Sequence, residues 1–248
     1  MAKKTIVQQV NSWLAIENKD RGHKRVALER ASRYFDNHDA FTVNTLEAIY
    51  GQESEFGSNI KKDIKGSIGA VGHFQIEKAT AEKFGKNKIT KSNDYRFDVD
   101  NSSEIAAQYL VYLNKLFATN KILDKGISTI EVLDINKRKI LVIAAYNAGE
   151  GRIARAQMAA EKDGKDPTRW EDIKNYLKEA GSDDDKIKEI IEYVEKVLGY
   201  ELEFSKKSNA NKNLKNKEPK KLSDSEYEDG HWITLDNGRH ILIKDKKV

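Results

Sequence analysis

The sequence predicts a mainly α-helical protein, followed by a disordered Lys/Asn-rich linker and a short C-terminal β-hairpin. Three observations carry this expectation. Apolar residues recur at helical spacing up to about residue 204; strand signals before that point are scarce; and the composition changes abruptly at Ser205. Only two prolines occur in 248 residues, which argues against a loop-dominated all-β chain.

Each element follows from a local pattern. Residues 5–17 and 22–35 read as helices, and Val26, Leu28, Ala31, Tyr34 and Phe35 give the second an apolar face. A third helix spans Asn44 to Glu53, with Leu46, Ile49, Tyr50 and Glu53 along one stripe. Asn101-Ser102-Ser103-Glu104 reads as a capping box with Asn101 as the cap. The helix it opens carries Ile105, Ala106, Tyr109, Leu110, Leu113, Leu116 and Phe117. Lys139 to Tyr146 is apolar on nearly every side after its lysine, the pattern of a central buried helix. Helices near 151–162, 168–180 and 185–198 complete the body. Residues 205–221, SKKSNANKNLKNKEPKK, offer too little apolar surface to offset chain entropy and read as a disordered tether. Beyond them, Trp232–Leu235 and Arg239–Ile243 flank Asp236-Asn237-Gly238, a hairpin signal. A lone hairpin is marginal in water, so this one is expected to dock on something.

Composition excludes several classes. There is no cysteine, so disulfides and thiolate metal sites are ruled out. No run approaches the ~20 apolar residues of a membrane span, so no transmembrane segment is expected. Met1 to Gln9 has lysines without a following apolar region, so no signal peptide is read there. A net charge of +4 is too small to imply a specific nucleic-acid partner. Asp98-x-Asp100-x-Ser102 lacks a calcium loop's glycine and terminal glutamate, because Ser103 and Tyr109 stand there. The five histidines form no ligand pattern, and neither a metal nor a cofactor is expected.

Glu53 is the candidate for chemistry. It occupies the apolar face of its helix, where desolvation raises a carboxyl pKa. It also lies in the last turn, where the helix dipole disfavours a carboxylate. Both effects favour a proton donor near neutral pH. Periodicity alone favours a glutamate at the core rim with its carboxylate in water. The next segment, GSIGAVGHFQI, has glycines at 66, 69 and 72 that permit tight turns and close backbone approach. It lacks dinucleotide and P-loop spacing. Gln75 sits between Phe74 and Ile76, where a buried amide needs partners, from a sugar or from backbone. His73 is expected to face solvent.

These residues resemble the motifs of the soluble lytic transglycosylases, relatives of goose-type lysozyme. Glu53-Ser54 and Phe56, then Ser67-x-Gly69-Ala70-x-Gly72-x-Phe74-Gln75-Ile76 and Thr80-Ala81, are similar to the first two. AAYNAGEGRI, Ala144 to Ile153, is similar to the third, and Glu189-x-x-x-Tyr193-Val194 to a late glutamate–tyrosine–valine helix. Between them, Asn101 and Ala106 to Leu113 are similar to the family's asparagine-led helix. The likeness covers roughly residues 40–200. It departs at His73, where the family has leucine, and at Glu77-Lys78, which replace a proline-containing stretch.

The resemblance implies a lysozyme-like α-rich catalytic domain that cleaves the β-1,4 bond between N-acetylmuramic acid and N-acetylglucosamine in peptidoglycan. It implies Glu53 as the single acid/base and Ser67, Gln75, Tyr146, Asn147, Glu189 and Tyr193 as substrate-binding residues. One carboxylate with help from the substrate's N-acetyl group is a recorded exception to two-carboxylate glycosidases. The implied organisation has four parts. Residues 1–40 are a helical segment packing on the catalytic domain, 41–204 the transglycosylase domain, 205–221 the disordered basic linker and 222–248 a hairpin tag for docking or packaging. HWITLDNGRHILI resembles a short tail motif of phage structural and ejected proteins. It implies a virion-associated enzyme acting in the periplasm or cell wall of a bacterial host, with virion structural proteins as partners. The alternatives are a hydrolytic muramidase using Glu55 or Asp63 as a second carboxylate, a conjugation or secretion-system transglycosylase, and a virion protein that only binds glycan.

Overall fold

The computed structural model describes residues 5–15, 19–36, 39–61, 64–85, 87–124, 126–215, 230–234 and 240–244. For residues 19–21, 208–215 and the two C-terminal strands it describes the backbone alone. The described chain is mainly helical. Residues up to Lys206 form one compact unit and those from Lys207 a second. No described helix is long and apolar enough to cross a membrane.

Helices α1 (Ile6–Leu14), α2 (Lys19–Ala31) and α3 (Val43–Ser54) open the fold. Thr5 caps α1 and Thr42 caps α3; each hydroxyl accepts a backbone N–H of the first turn, where donors lack intrahelical partners. The short α4 (Lys78–Phe84) precedes the long α5 (Val99–Phe117). Asp98, not Asn101, caps α5, accepting from the Asn101 N–H at 2.8 Å. The expected box begins three residues too late, because the Asp98 carboxylate already satisfies the first turn. A strand pair too short to show alternation follows, β1 (Ile122–Asp124) against β2 (Ile127–Ser128).

Helix α6 (Ile135–Ala148) runs through the middle, with Leu141 to Ala145 all buried, as its all-round apolar sequence predicts. It packs against α5 on one side and α7 (Glu150–Lys162) on the other. The helix expected over 168–180 is only one turn, α8 (Trp170–Ile173), continued by a 3₁₀ turn. Helix α9 (Asp184–Lys215) is longer than expected and extends into the stretch read as linker. Phe204 is buried near the start of that extension. Once a helix is anchored, further turns add at low cost, which composition alone does not register. Residues 216–221 lie outside the described ones.

The N-terminal segment is built into this unit. Trp13 stacks on Phe56 with ring centroids 4.6 Å apart, and Tyr200 and Phe204 of α9 meet Phe56 edge-on. A β-carbon at Gly199 would lie 2.8 Å from Ile6, so α1 rests directly on the α9 backbone. In the second unit, β3 (Gly230–Thr234) pairs antiparallel with β4 (His240–Lys244), Trp232 opposite Leu242. The connecting Asp236-Asn237-Gly238 lies outside the described residues.

Candidate active site

Glu53 sits one residue before the end of α3, and the chain turns sharply just after it. Glu55 and Phe56 both adopt left-handed conformations, φ 48° and 58°, which L-residues reach only at a cost. Burial of the Phe56 ring against Trp13 compensates. Gly57 completes the turn at φ 82°, where a β-carbon would fall 2.4 Å from the Tyr50 hydroxyl. The buried Ser54 ties this helix end to the following loop, donating to the His73 carbonyl at 2.8 Å.

That loop is glycine-rich and folds back on itself through a bridge between Val71 and Ile76. Gly72 stands at φ 81°, and a β-carbon there would collide with the Arg96 carbonyl at 2.0 Å. This glycine therefore admits another backbone strand, not a ligand. Gln75 has a left-handed backbone, φ 44°, and its amide donates to the Gly72 carbonyl at 2.9 Å. His73 does not simply face solvent. Its ring lies against Tyr50, with Nδ1 3.2 Å from the phenol oxygen.

Glu53 is half-buried and accepts a hydrogen bond from the Tyr193 hydroxyl at 2.5 Å. Burial pushes its carboxyl up to about 8. The Tyr193 hydrogen bond opposes this, the Glu189 charge adds to it and the Lys186 charge opposes it. Tyr193 and Tyr146 are themselves raised well above the ordinary phenol value, by burial and then by the charge of Glu53. Both are thus neutral donors. Tyr146 donates to the Phe74 carbonyl at 3.0 Å, which fixes the loop against α6.

A cleft of about 540 Å³ adjoins these groups. Gln75, Tyr146 and Asn147 line it. Glu53, Tyr193 and Glu189 are not part of that lining; Tyr193 donates to Glu53, and Glu189 is joined to the lining by hydrogen bonds. Asn147 donates to Glu189 at 3.0 Å, and Lys186 bridges the two. Burial would raise the Glu189 carboxyl, but the Lys186 and Asn147 hydrogen bonds outweigh it and hold the pKa below its ordinary value. Ser67 lies apart from the cleft lining. Its hydroxyl accepts the Gly69 N–H at 3.2 Å, and its carbonyl accepts from Arg96 at 2.8 Å.

Two groups here escape the sequence patterns. One is an aromatic shelf in the cleft, Phe84, Tyr109 and Tyr112, with Lys83 Nζ 3.7 Å above the Tyr112 ring. Periodicity assigns Tyr109 to the core. The usable signal was Tyr112, three residues on and off the apolar stripe, since i and i+3 share a helix face. Tyr109 donates to Glu150 at 3.2 Å and is raised far above the phenol range, by burial and then by that carboxylate. The other group is Arg96 with Asp94, in a polar stretch without periodicity.

The chain is 28% identical over 153 residues to the membrane-bound lytic murein transglycosylase F of Desulfosudis oleivorans, covering 62% of this chain and 28% of that protein. To the protein of the same description from Marinobacter nauticus it is 30% identical over 132 residues, 53% of this chain and 22% of the relative. The chain thus matches only about a quarter of the length of these curated relatives. Residues 33–168 match the transglycosylase SLT domain. That region is more than half of the chain and holds Glu53, the glycine-rich loop and the Tyr146 helix, so the chain belongs to the transglycosylase SLT domain family.

Proposed function

We propose that this protein is a peptidoglycan lytic transglycosylase with a lysozyme-like catalytic domain, and that Glu53 is its only acid/base. The observation that carries this reading is the electrostatics of Glu53. Its hydrogen-bond donor is a neutral phenol, and its pKa is raised to about 8, so it carries a proton at neutral pH. A carboxylic acid that keeps its proton beside a cleft is suited to protonating a leaving oxygen.

In the first step Glu53 gives its proton to the glycosidic oxygen, and the bond between that oxygen and muramic acid C1 breaks. The muramic N-acetyl group shares the positive charge at C1. In the second step the ionised Glu53 takes the proton from the C6 hydroxyl as O6 bonds to C1. The product is a 1,6-anhydro ring, and Glu53 is again the acid. Tyr193 stabilises the intervening carboxylate by its hydrogen bond. Gln75, Tyr146 and Asn147 contact the sugar, and the aromatic shelf carries sugar faces further along.

Product analysis on purified glycan strands tests this reading. Anhydro-muramyl ends are expected from the wild type, and no cleavage from Glu53→Gln. Reducing ends would replace the transglycosylase by a hydrolase. Full activity of Glu53→Gln would remove Glu53 from the chemistry. Of the second carboxylates considered for hydrolysis, Glu55 is an exposed helix cap and Asp63 lies outside the described residues.

The division at 40, 204 and 221 and the phage setting belong to the same proposal, supported by the tail resemblance and by the β3–β4 pairing. Deleting residues 222–248 is expected to leave lysis intact and abolish incorporation into particles. Retained incorporation would exclude a packaging tag.

A further inference from the structure

We propose that Arg96 and Asp94 are positioning residues. They lie outside the cleft, and they hold the wall of residues 66–76 in its saccharide-binding shape before substrate arrives. This rests on the reading above only in taking that wall to bind sugar.

The wall has little structure of its own. Its regular pairing is the single Val71–Ile76 bridge, and Gly66, Gly72 and Gln75 all have positive φ. Ser67 and Gly66 are half-buried, and Ile68 at the tip is 84% exposed. Such a segment, left to itself, samples many conformations. Here its carbonyls converge on one side chain. Arg96 is fully buried and donates from Nη1 to Gly69 O at 2.9 Å and Ile76 O at 3.0 Å, and from Nη2 to Ser67 O at 2.8 Å. Nε and Nη2 also donate to the two Asp94 oxygens, at 2.9 and 2.7 Å. A guanidinium has five N–H donors, and all are used.

Asp94 and the Arg96 main chain extend the grip. Asp94 Oδ2 accepts the Gly66 N–H at 2.8 Å, and the Arg96 carbonyl accepts the His73 N–H at 3.1 Å. The loop is therefore held at positions 66, 67, 69, 73 and 76 from two residues. The same wall presents Ala70, Gln75 and Ile76 to the cleft. It also offers the Phe74 carbonyl to Tyr146 and the His73 carbonyl to Ser54, next to Glu53.

A buried ion pair is a poor source of stability, because desolvation cancels much of its attraction. What this pair supplies is a single geometry. Fixing a binding wall in advance removes an ordering cost from binding. The effect should thus appear in substrate affinity and not in the proton chemistry of Glu53.

Arg96→Lys keeps the charge but loses the planar fork, and Asp94→Asn keeps the shape but loses the charge. In both, KM on glycan strands should rise about tenfold, and affinity for an N-acetylglucosamine oligomer should fall alike by calorimetry, as expected for losing hydrogen bonds to a charged group. The alkaline limb of the pH–rate profile should stay in place. Folded variants with wild-type affinity would overturn the proposal, and so would a lower kcat with a displaced limb at unchanged KM. If neither variant folds, amide exchange in the wild type decides. The Gly66, His73 and Ile76 amides should be protected like those of α5, and rapid exchange would overturn the clamp. A wild type that binds the oligomer without cleaving strands would sink the proposed activity and leave this test standing.

Discussion

Helix α3 holds two glutamates within the protein, Glu47 in its first half and Glu53 at its end, and the two have different partners. Glu47, 1% exposed, accepts from Trp13 Nε1 at 2.7 Å and from the Arg25 guanidinium. A cation and a strong donor accompany its charge inward. Glu53 accepts from the Tyr193 phenol, at the helix end where the dipole is negative, and burial raises its pKa to about 8. The two differ in what is buried with them: a guanidinium and an indole N–H at Glu47, a neutral phenol at Glu53. The sign for stability follows. Between pH about 4.5 and 8 the folded state keeps a proton on Glu53 that the unfolded chain has released. Stability from this group is full at low pH and is lost as pH rises through that window.

Substituting these two glutamates gives the largest effects. Glu53→Gln should lower kcat by about a thousandfold or more, the scale of losing a positioned acid and base. It should also stabilise the protein at pH 8 by up to ~4 kcal/mol, and by less than ~1 kcal/mol near pH 5. Denaturant unfolding at the two pH values measures this, and a variant less stable than wild type at pH 8 contradicts the raised pKa. Glu47→Ala should do the reverse. Removing one partner of a buried pair costs ~3 kcal/mol, while kcat per folded molecule stays at the wild-type value. A fall in that kcat would mean that the two glutamates are not separate in function.

The same contrast marks how far the sequence could be followed. Periodicity placed α3, α5, α6 and α7 well, because one stripe or a whole surface of each is apolar. It placed the α5 cap on Asn101 because the box pattern repeats there, although Asp98 binds first. It could not show β1 and β2, which are too short to alternate. Glu53 was visible as a polar residue on an apolar face, but the same argument cannot tell a paired glutamate from an unpaired one. Its partner Tyr193 is 140 positions away. Arg96 was invisible for a related reason. The carbonyls it gathers belong to a loop 20 to 29 residues earlier, and they converge only in the fold. His73 was assigned to solvent because nothing nearby in sequence calls for an imidazole, whereas Tyr50 supplies the contact from α3.

Tyr193→Phe is the next sharpest probe. The phenol favours the carboxylate, so its loss should raise the Glu53 pKa further. The alkaline limb should move to higher pH by up to about one unit, the worth of one hydrogen bond to a charged group. kcat should fall about tenfold, because the ionised form is stabilised less when it must act as base. A limb that stays in place would show that Tyr193 is not the donor to Glu53.

The smallest effects come from charges that do not touch Glu53, and their opposite signs make them informative. Lys186 favours the Glu53 carboxylate and Glu189 opposes it. Because Lys186 and Glu189 are paired at 2.8 Å, each substitution also unmasks the other charge. Lys186→Met leaves Glu189 less compensated and should move the alkaline limb up. Glu189→Gln leaves Lys186 unopposed and should move it down. Each shift should be a few tenths of a pH unit, because both side chains keep contact with water and screening is strong. Raising the salt concentration should shrink both shifts together but leave the Tyr193→Phe shift nearly intact, since that contact is direct and buried. If both substitutions moved the limb the same way, the cause would be a rearranged Asn147 contact and not charge, and the field at Glu53 would have to come from burial and Tyr193 alone.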